Sequence, residues 1–412
     1  MPRPAKIRIV GTLTAIPLSI LWFGTAISQS TVSNTQVQGA DVVGSLNLNV
    51  ETNDTDTTAV TTATGNSFVG STVSGGLDVE SSQTLSGNVS ASTVVNVDQT
   101  PGPTYESTTA ATGNSGDSVI SSTWTMTGNL SQTTTSASVD AESQTNGDNA
   151  FTTDATQTVQ AVANGQQFGA EDSSLVANVN QSNAAAVTAN GGAVFNYVAD
   201  QGVFNSTAAG NDLTSTASGQ VTQNLDVNQT NTGGETQATM FVNLGNAELS
   251  STSATAAGND IDASNTEGAL FVTDGQTNQS FVNAQAVETS FEFGAATVQA
   301  EGVGNSMVAA NIGPNVGIDN TQVNGGADVE ATASFQGNNG FDVAASSSAT
   351  GNAATGFACS TCGGTMNVYN SQTNTGGVGA STTVGVTGGA RSVAGVATAV
   401  GNTATYYVSR PN

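Results

Sequence analysis

The sequence predicts an all-β chain, a β-solenoid of about eight repeats of roughly 48 residues each. Three observations predict it. A Gln signal recurs at Gln36, Gln83, Gln132, Gln181, Gln229, Gln279, Gln322 and Gln372. A run of small residues closed by Gly-Asn recurs at Gly65-Asn66, Gly113-Asn114, Gly210-Asn211, Gly258-Asn259, Gly304-Asn305, Gly351-Asn352 and Gly401-Asn402, with an inverted Asn164-Gly165 in the one gap. The residues before each Gln alternate: Leu225, Val227 and Gln229 share one parity while Asp226 and Asn228 take the other. A fixed period of this length marks a repeat architecture, and period-2 alternation marks strands.

Each element follows from its residues. Gln falls on the apolar parity, and at Asn183, Asn231, Asn324 and Asn374 an Asn follows two positions later on the same side. A buried amide is costly unless paired. Stacking identical amides at the strand spacing lets each bond to the next, so inward Gln and Asn must recur as ladders. Gly-Asn reads as a turn dipeptide, since both residues tolerate φ > 0. Stretches such as 233–245 and 376–388 lie between the two signals with strand-like runs of their own. Two coils of ~19 and ~29 residues therefore fit one unit, giving roughly sixteen coils and a rod of about 75 Å. Pro101 and Pro103 mark an inserted loop, and Pro314 a trimmed corner.

Residues 1–28 read as a secretory signal, with Arg3, Lys6 and Arg8 before an apolar run. Ala26 and Ser28 precede a cut before Gln29. An uncleaved membrane anchor is the alternative, although Pro17 breaks the short apolar run. The repeat solenoid then spans 29–405, and 406–412, containing Tyr406-Tyr407-Val408, forms a C-terminal cap or tail.

Composition excludes several functions. Net charge is −26, and removal of 1–28 leaves two basic residues, Arg391 and Arg410, against 31 carboxylates. Such a chain does not bind nucleic acid, which needs Lys and Arg to displace counterions. The acidity suits solubility and self-repulsion between copies. There is no His, which removes Ser-His and Cys-His pairs and His-ligated metals. Asp54 and Asp56, Glu171 and Asp172, and Asp260 and Asp262 read as solvated surface charge. No catalytic residue, cofactor site or metal site is assigned. Cys359 and Cys362 lie in a Gly-rich loop and, in an exported chain, suggest a local disulfide. Redox work or metal binding are the alternatives; thioredoxin-like chemistry would want a βαβ context.

The inward Gln-x-Asn and Ala-x-Gly-Asn signals resemble curlin repeats of secreted adhesive amyloid, although curlin units are shorter and stricter. The whole chain, with its signal segment, lack of His and repeated Gln-Thr-Asn at 229–231 and 372–374, resembles the holdfast-attachment proteins of stalked alphaproteobacteria. That resemblance implies a non-enzymatic protein at the cell surface or outer membrane that ties adhesive polysaccharide to the envelope. It also implies a small curlin-like partner and a lipoprotein resembling the curli secretion pore. A self-assembling matrix fibre is the competing reading. A polysaccharide-cleaving β-helix enzyme would need clustered carboxylates beside a cation, which the sequence does not offer.

Overall fold

The computed structural model describes residues 29–359 and 364–409. Residues 1–28, where the sequence suggests a secretory signal, residues 360–363 with Cys362, and residues 410–412 lie outside the described residues. Within them every regular element is a β-strand, rich in the Thr and Val that suit a pleated, half-buried surface. Eight short strands stack in parallel in chain order: Ser30–Gln38, Leu77–Leu85, Thr125–Thr134, Ser174–Asn183, Thr222–Asn231, Ala269–Asn278, Asn315–Asn324 and Thr365–Asn374. The remaining strands form a second parallel sheet that wraps around the other sides. In the middle of the stack its members are continuous runs such as Ala186–Ser218, Glu235–Asn265 and Phe281–Asn311.

The pairing register fixes the coil. Gln229 pairs with Gln276 and Asn259 with Asn305, so each repeat stacks on the next as one unit. One repeat is therefore one coil, which corrects the expectation of two. Eight coils at the strand spacing give a stack about 38 Å tall, half the height expected from the sequence. The alternating runs that looked like separate coils are sides of one coil, joined by bends that the backbone pairing passes through.

Gly-Asn marks one of these bends, but not a turn with φ > 0. The pairs at 65–66, 113–114, 210–211, 258–259, 304–305, 351–352 and 401–402 all lie inside strands. At Gly258-Asn259 the inward parity moves from even residues (Thr252, Ala254, Ala256) to odd ones (Ile261, Ala263). Gly suits the bend because a Cβ at Gly258 would come within 2.5 Å of the Gly304 carbonyl oxygen. Positive φ occurs instead at Gly75, Gly102, Gly219, Gly326, Asp172 and Glu267, in the connections between strands.

The core is split in two. One apolar cluster contains Leu77, Met126, Leu175, Leu225 and Leu270 from the short strands against Phe68, Ile120, Phe168, Leu213, Ile261 and Met307. The other contains Val89, Val139, Val187, Ala238 and Val282 against Ala59, Ala111, Val159, Ala208 and Ala254. Along the chain, the recurring Gln and Asn stand between the residues of the two clusters. The second cluster is mostly Ala and Val, which lets opposite walls approach, with Tyr105, Phe195, Phe204, Phe293 and Phe335 as its aromatic members.

Candidate functional site

The interior of the stack is held by amide ladders, two of which also bridge it. In the first, Gln83, Gln132, Gln181, Gln229, Gln276, Gln322 and Gln372 each donate Nε2 to the Oε1 of the Gln one coil earlier, at 2.7–2.9 Å, ending on Gln36. In the second, Asn66, Asn114, Asn164, Asn211, Asn259, Asn305 and Asn352 donate Nδ2 to the Oδ1 of the Asn one coil later, ending on Asn402. Asn164, the inverted member, keeps the column, with Ala163 in the place of the glycine. The two ladders point in opposite directions along the axis, so their dipoles oppose each other.

Each amide also reaches across the coil. Gln229 Nε2 donates to the carbonyl oxygen of Asp260, the residue after Asn259, at 2.9 Å. Asn259 Nδ2 donates to the carbonyl oxygen of Thr277, the residue after Gln276 in the next coil, at 2.9 Å. The pattern recurs, as in Gln322 to Ala353 and Asn305 to Val323. Buried backbone acceptors at the bends are thereby satisfied by the residues that mark the repeat.

Gln279 is not in the ladder. It is exposed one residue beyond the corner, where its backbone N–H donates to the Asn231 carbonyl oxygen. Gln276 takes the column because Gln276-Thr277-Asn278 repeats the Gln-x-Asn spacing of 229–231. That spacing, applied consistently, would have found it. Asn278 likewise joins a third ladder running Asn183, Asn231, Asn278, Asn324, Asn374, each Nδ2 donating to the next Oδ1. Where the motif lacks its Asn after Gln132, Thr134 fills the position and its hydroxyl donates to Asn164 Oδ1 at 2.8 Å.

The other sequence-marked residues separate. Asp54, Asp56, Glu171 and Asp172 are exposed. Asp260 stacks on Asp212, and burial raises the carboxyl pKa of both. Repulsion from Asp260 and Asp262 adds to it at Asp212, which is pushed up to about 7. At Asp260 a hydrogen bond with Ser306 pulls the other way, while Asp262 and Glu301 push up. Cys359 is buried at the end of its strand, while its sequence partner Cys362 is not described. The Tyr406–Val408 run continues the strand Ser392–Ser409, pairing with Gly356–Ala358, and Tyr407 stacks on Phe357 at 6.0 Å. No element boundary falls at 405/406.

Sequence reasoning missed two interior carboxyls. Glu288 is fully buried; burial pushes its pKa up to about 7, while hydroxyl donation from Ser250 at 2.5 Å and Thr252 at 2.8 Å pulls it down. Asp274 is buried in the column of Val227, and burial followed by repulsion from Asp319 holds its pKa well above the usual range. With its amide nitrogen turned inward, Asn320 donates to Asp274 Oδ2 at 2.7 Å. Neither has a periodic sequence signal, since the equivalent positions in neighbouring coils are apolar or amide residues: Val242 and Phe335 beside Glu288, Val227 and Asn320 beside Asp274.

Among the described residues no three carboxylate or thiol side chains are placed to hold one metal ion. What the arrangement offers is a repetitive scaffold with a long anionic surface and, among the described residues, strand edges at both ends of the stack that pair with no further strand. The holdfast attachment protein D family profile matches residues 51–328, two thirds of the chain and most of the stacked coils. No curated protein and no solved structure matches significantly. The chain, whose role is thus in holdfast attachment at the cell surface or envelope, belongs to the holdfast attachment protein D family.

Proposed function

We propose that this solenoid is an exported structural anchor that ties adhesive holdfast polysaccharide to the outer membrane. One observation carries the reading: a family defined by holdfast attachment matches a scaffold whose interior is a continuous amide ladder from Gln36 to Gln372. An anchor under load needs resistance to local unfolding, and a stack in which each inner coil is bonded to both neighbours supplies it. The basic and apolar stretch at 1–28 supports export. The curlin-like subunit and pore-like lipoprotein implied by the resemblance belong to this reading as partners.

The test is to delete the gene in a holdfast-forming host and supply either the natural chain or a Gln181→Leu/Gln229→Leu variant. Cells lacking the protein should still make adhesive but shed it into the medium, and the natural chain should restore retention. Retention unchanged by deletion would defeat the proposal. A second reading, self-assembly into a matrix fibre, is favoured by the open edges at Thr365–Asn374 and Ser30–Gln38, which face opposite ways along one axis. Growth of purified protein into long fibres on seeding would support it; a stable monomer at the same concentration would exclude it.

A further inference from the structure

The outer corner of the wrapping sheet carries a groove of about 670 Å³ that runs along the stack axis. It crosses five successive coils, from Tyr197 through Glu248, Glu292 and Phe341 to Arg391, a span of about 19 Å at the strand spacing. The corner arises where the paired registers shift between Val198 and Gln201. Its floor is kept low by Gly340, where a Cβ would meet the Phe293 ring at 2.4 Å. At its first coil Phe151 stacks on Tyr197, with centroids 5.2 Å apart and planes at 19°. Phe341 is 58% exposed.

The charges in this groove are not balanced. Arg391 forms an ion pair with Asp342 and lies over the Phe341 ring at 5.7 Å. It is the only cationic side chain among the described residues, and that pair engages it. Among the described residues no cation pairs with Glu248 or Glu292, which face the groove. Carboxylates set between exposed aromatic faces form a site for ammonium groups, which pair with the first and rest on the second. The Arg391 guanidinium already occupies one such position over Phe341. A straight groove at coil spacing suits a linear chain more than a compact ligand.

We infer that this corner groove seats an amine-bearing, cationic polysaccharide, with Tyr197 and Phe341 as stacking faces and Glu248 and Glu292 as its ammonium partners. The inference rests on the polysaccharide-anchor reading and names the surface that performs it. Glycol chitosan serves as the cationic probe for the purified protein, with dextran as the neutral probe, polygalacturonate as the anionic one, and poly-lysine as a cationic chain without sugar rings. The protein should bind glycol chitosan, and binding should weaken at least tenfold in Tyr197→Ala/Phe341→Ala and in Glu248→Gln/Glu292→Gln. Neutralising two exposed carboxylates on the short-strand sheet, Glu80→Gln/Asp226→Asn, should change it less than twofold and so controls for net charge. Circular dichroism of each variant checks that the stack is intact. Glycol chitosan binding that survives both corner changes overturns the groove and leaves the anchor reading standing. Binding of dextran or polygalacturonate in place of glycol chitosan overturns the cationic assignment alone. Poly-lysine binding of equal strength that ignores the aromatic changes overturns it as plain charge attraction. Binding of no polysaccharide at all removes both the groove and the anchor reading.

Discussion

Replacing Gln229 by Leu, a side chain of similar volume, deletes three hydrogen bonds at the centre of the stack. Gln181 Oε1 loses its donor, Gln276 Nε2 loses its acceptor, and the Asp260 carbonyl oxygen loses the side-chain donor that capped it. Each group stays buried, and an unmatched buried polar group costs about 1–3 kcal/mol. Allowing for partial relaxation, the loss is about 3–6 kcal/mol, a large fraction of the net stability of most domains. The same change at Gln36 removes one link, from Gln83, and a bond to the Ser67 carbonyl oxygen at the water-exposed end of the stack. Its cost should be about 1 kcal/mol or less, because water replaces the lost partners. With a urea m-value of ~3 kcal/mol/M, Gln229→Leu should lower the unfolding midpoint by about 1–2 M, and Gln36→Leu by about 0.3 M or less. Urea titration followed by circular dichroism reads both. Equal shifts for the two variants, or none for Gln229→Leu, would refute the claim that the ladder holds the coils together.

Three further outcomes follow from the geometry. Gln279→Ala should leave the urea midpoint within the error of the titration, whereas Gln276→Leu should match Gln229→Leu, because only Gln276 stands in the column. Stability should rise on acidification from pH 7.5 to 5: the Glu288 carboxyl stays protonated up to about 7 when folded against 4.5 when unfolded, so its contribution is fully present below 4.5 and is lost as pH climbs to 7. Thermal melts across that range should show the slope, and Glu288→Gln, neutral at every pH, should flatten it by an amount on the order of 3 kcal/mol. Asp212→Asn should flatten it further in the same direction, since burial holds that carboxyl near 7 as well.

The repeat, the strands and the inward amides were legible because each rests on a local rule that a period of 46–50 residues enforces in every coil. Gln must meet Gln at the same height, so its spacing records the register directly. The bends were less legible. Gly258-Asn259 has the composition of a turn, yet it sits within a paired strand, where Gly clears the next coil's carbonyl and Asn joins a ladder. The strand-like runs at 233–245 and 376–388, taken for coils of their own, doubled the number of coils and the height of the stack. The slip from Gln276 to Gln279 came from following the spacing between Gln residues over the two-residue Gln-x-Asn motif, which fixes the strand phase. Glu288 and the corner residues Tyr197, Glu248 and Phe341 belong to single coils, and a property that does not repeat leaves no periodic trace.

One repeat makes one coil, in the register that pairs Asp226 with Thr273. Both side chains are exposed on adjacent strands, at a separation that a disulfide can span. In a Cys359→Ser/Cys362→Ser background, Asp226→Cys/Thr273→Cys should close an intramolecular disulfide under mild oxidation, identified by peptide mass spectrometry. Asp226→Cys/Thr277→Cys, displaced four residues or about 13 Å along the strand, should stay reduced. A bridge in the second variant and none in the first would contradict the register, and with it the ladder and the one-coil repeat.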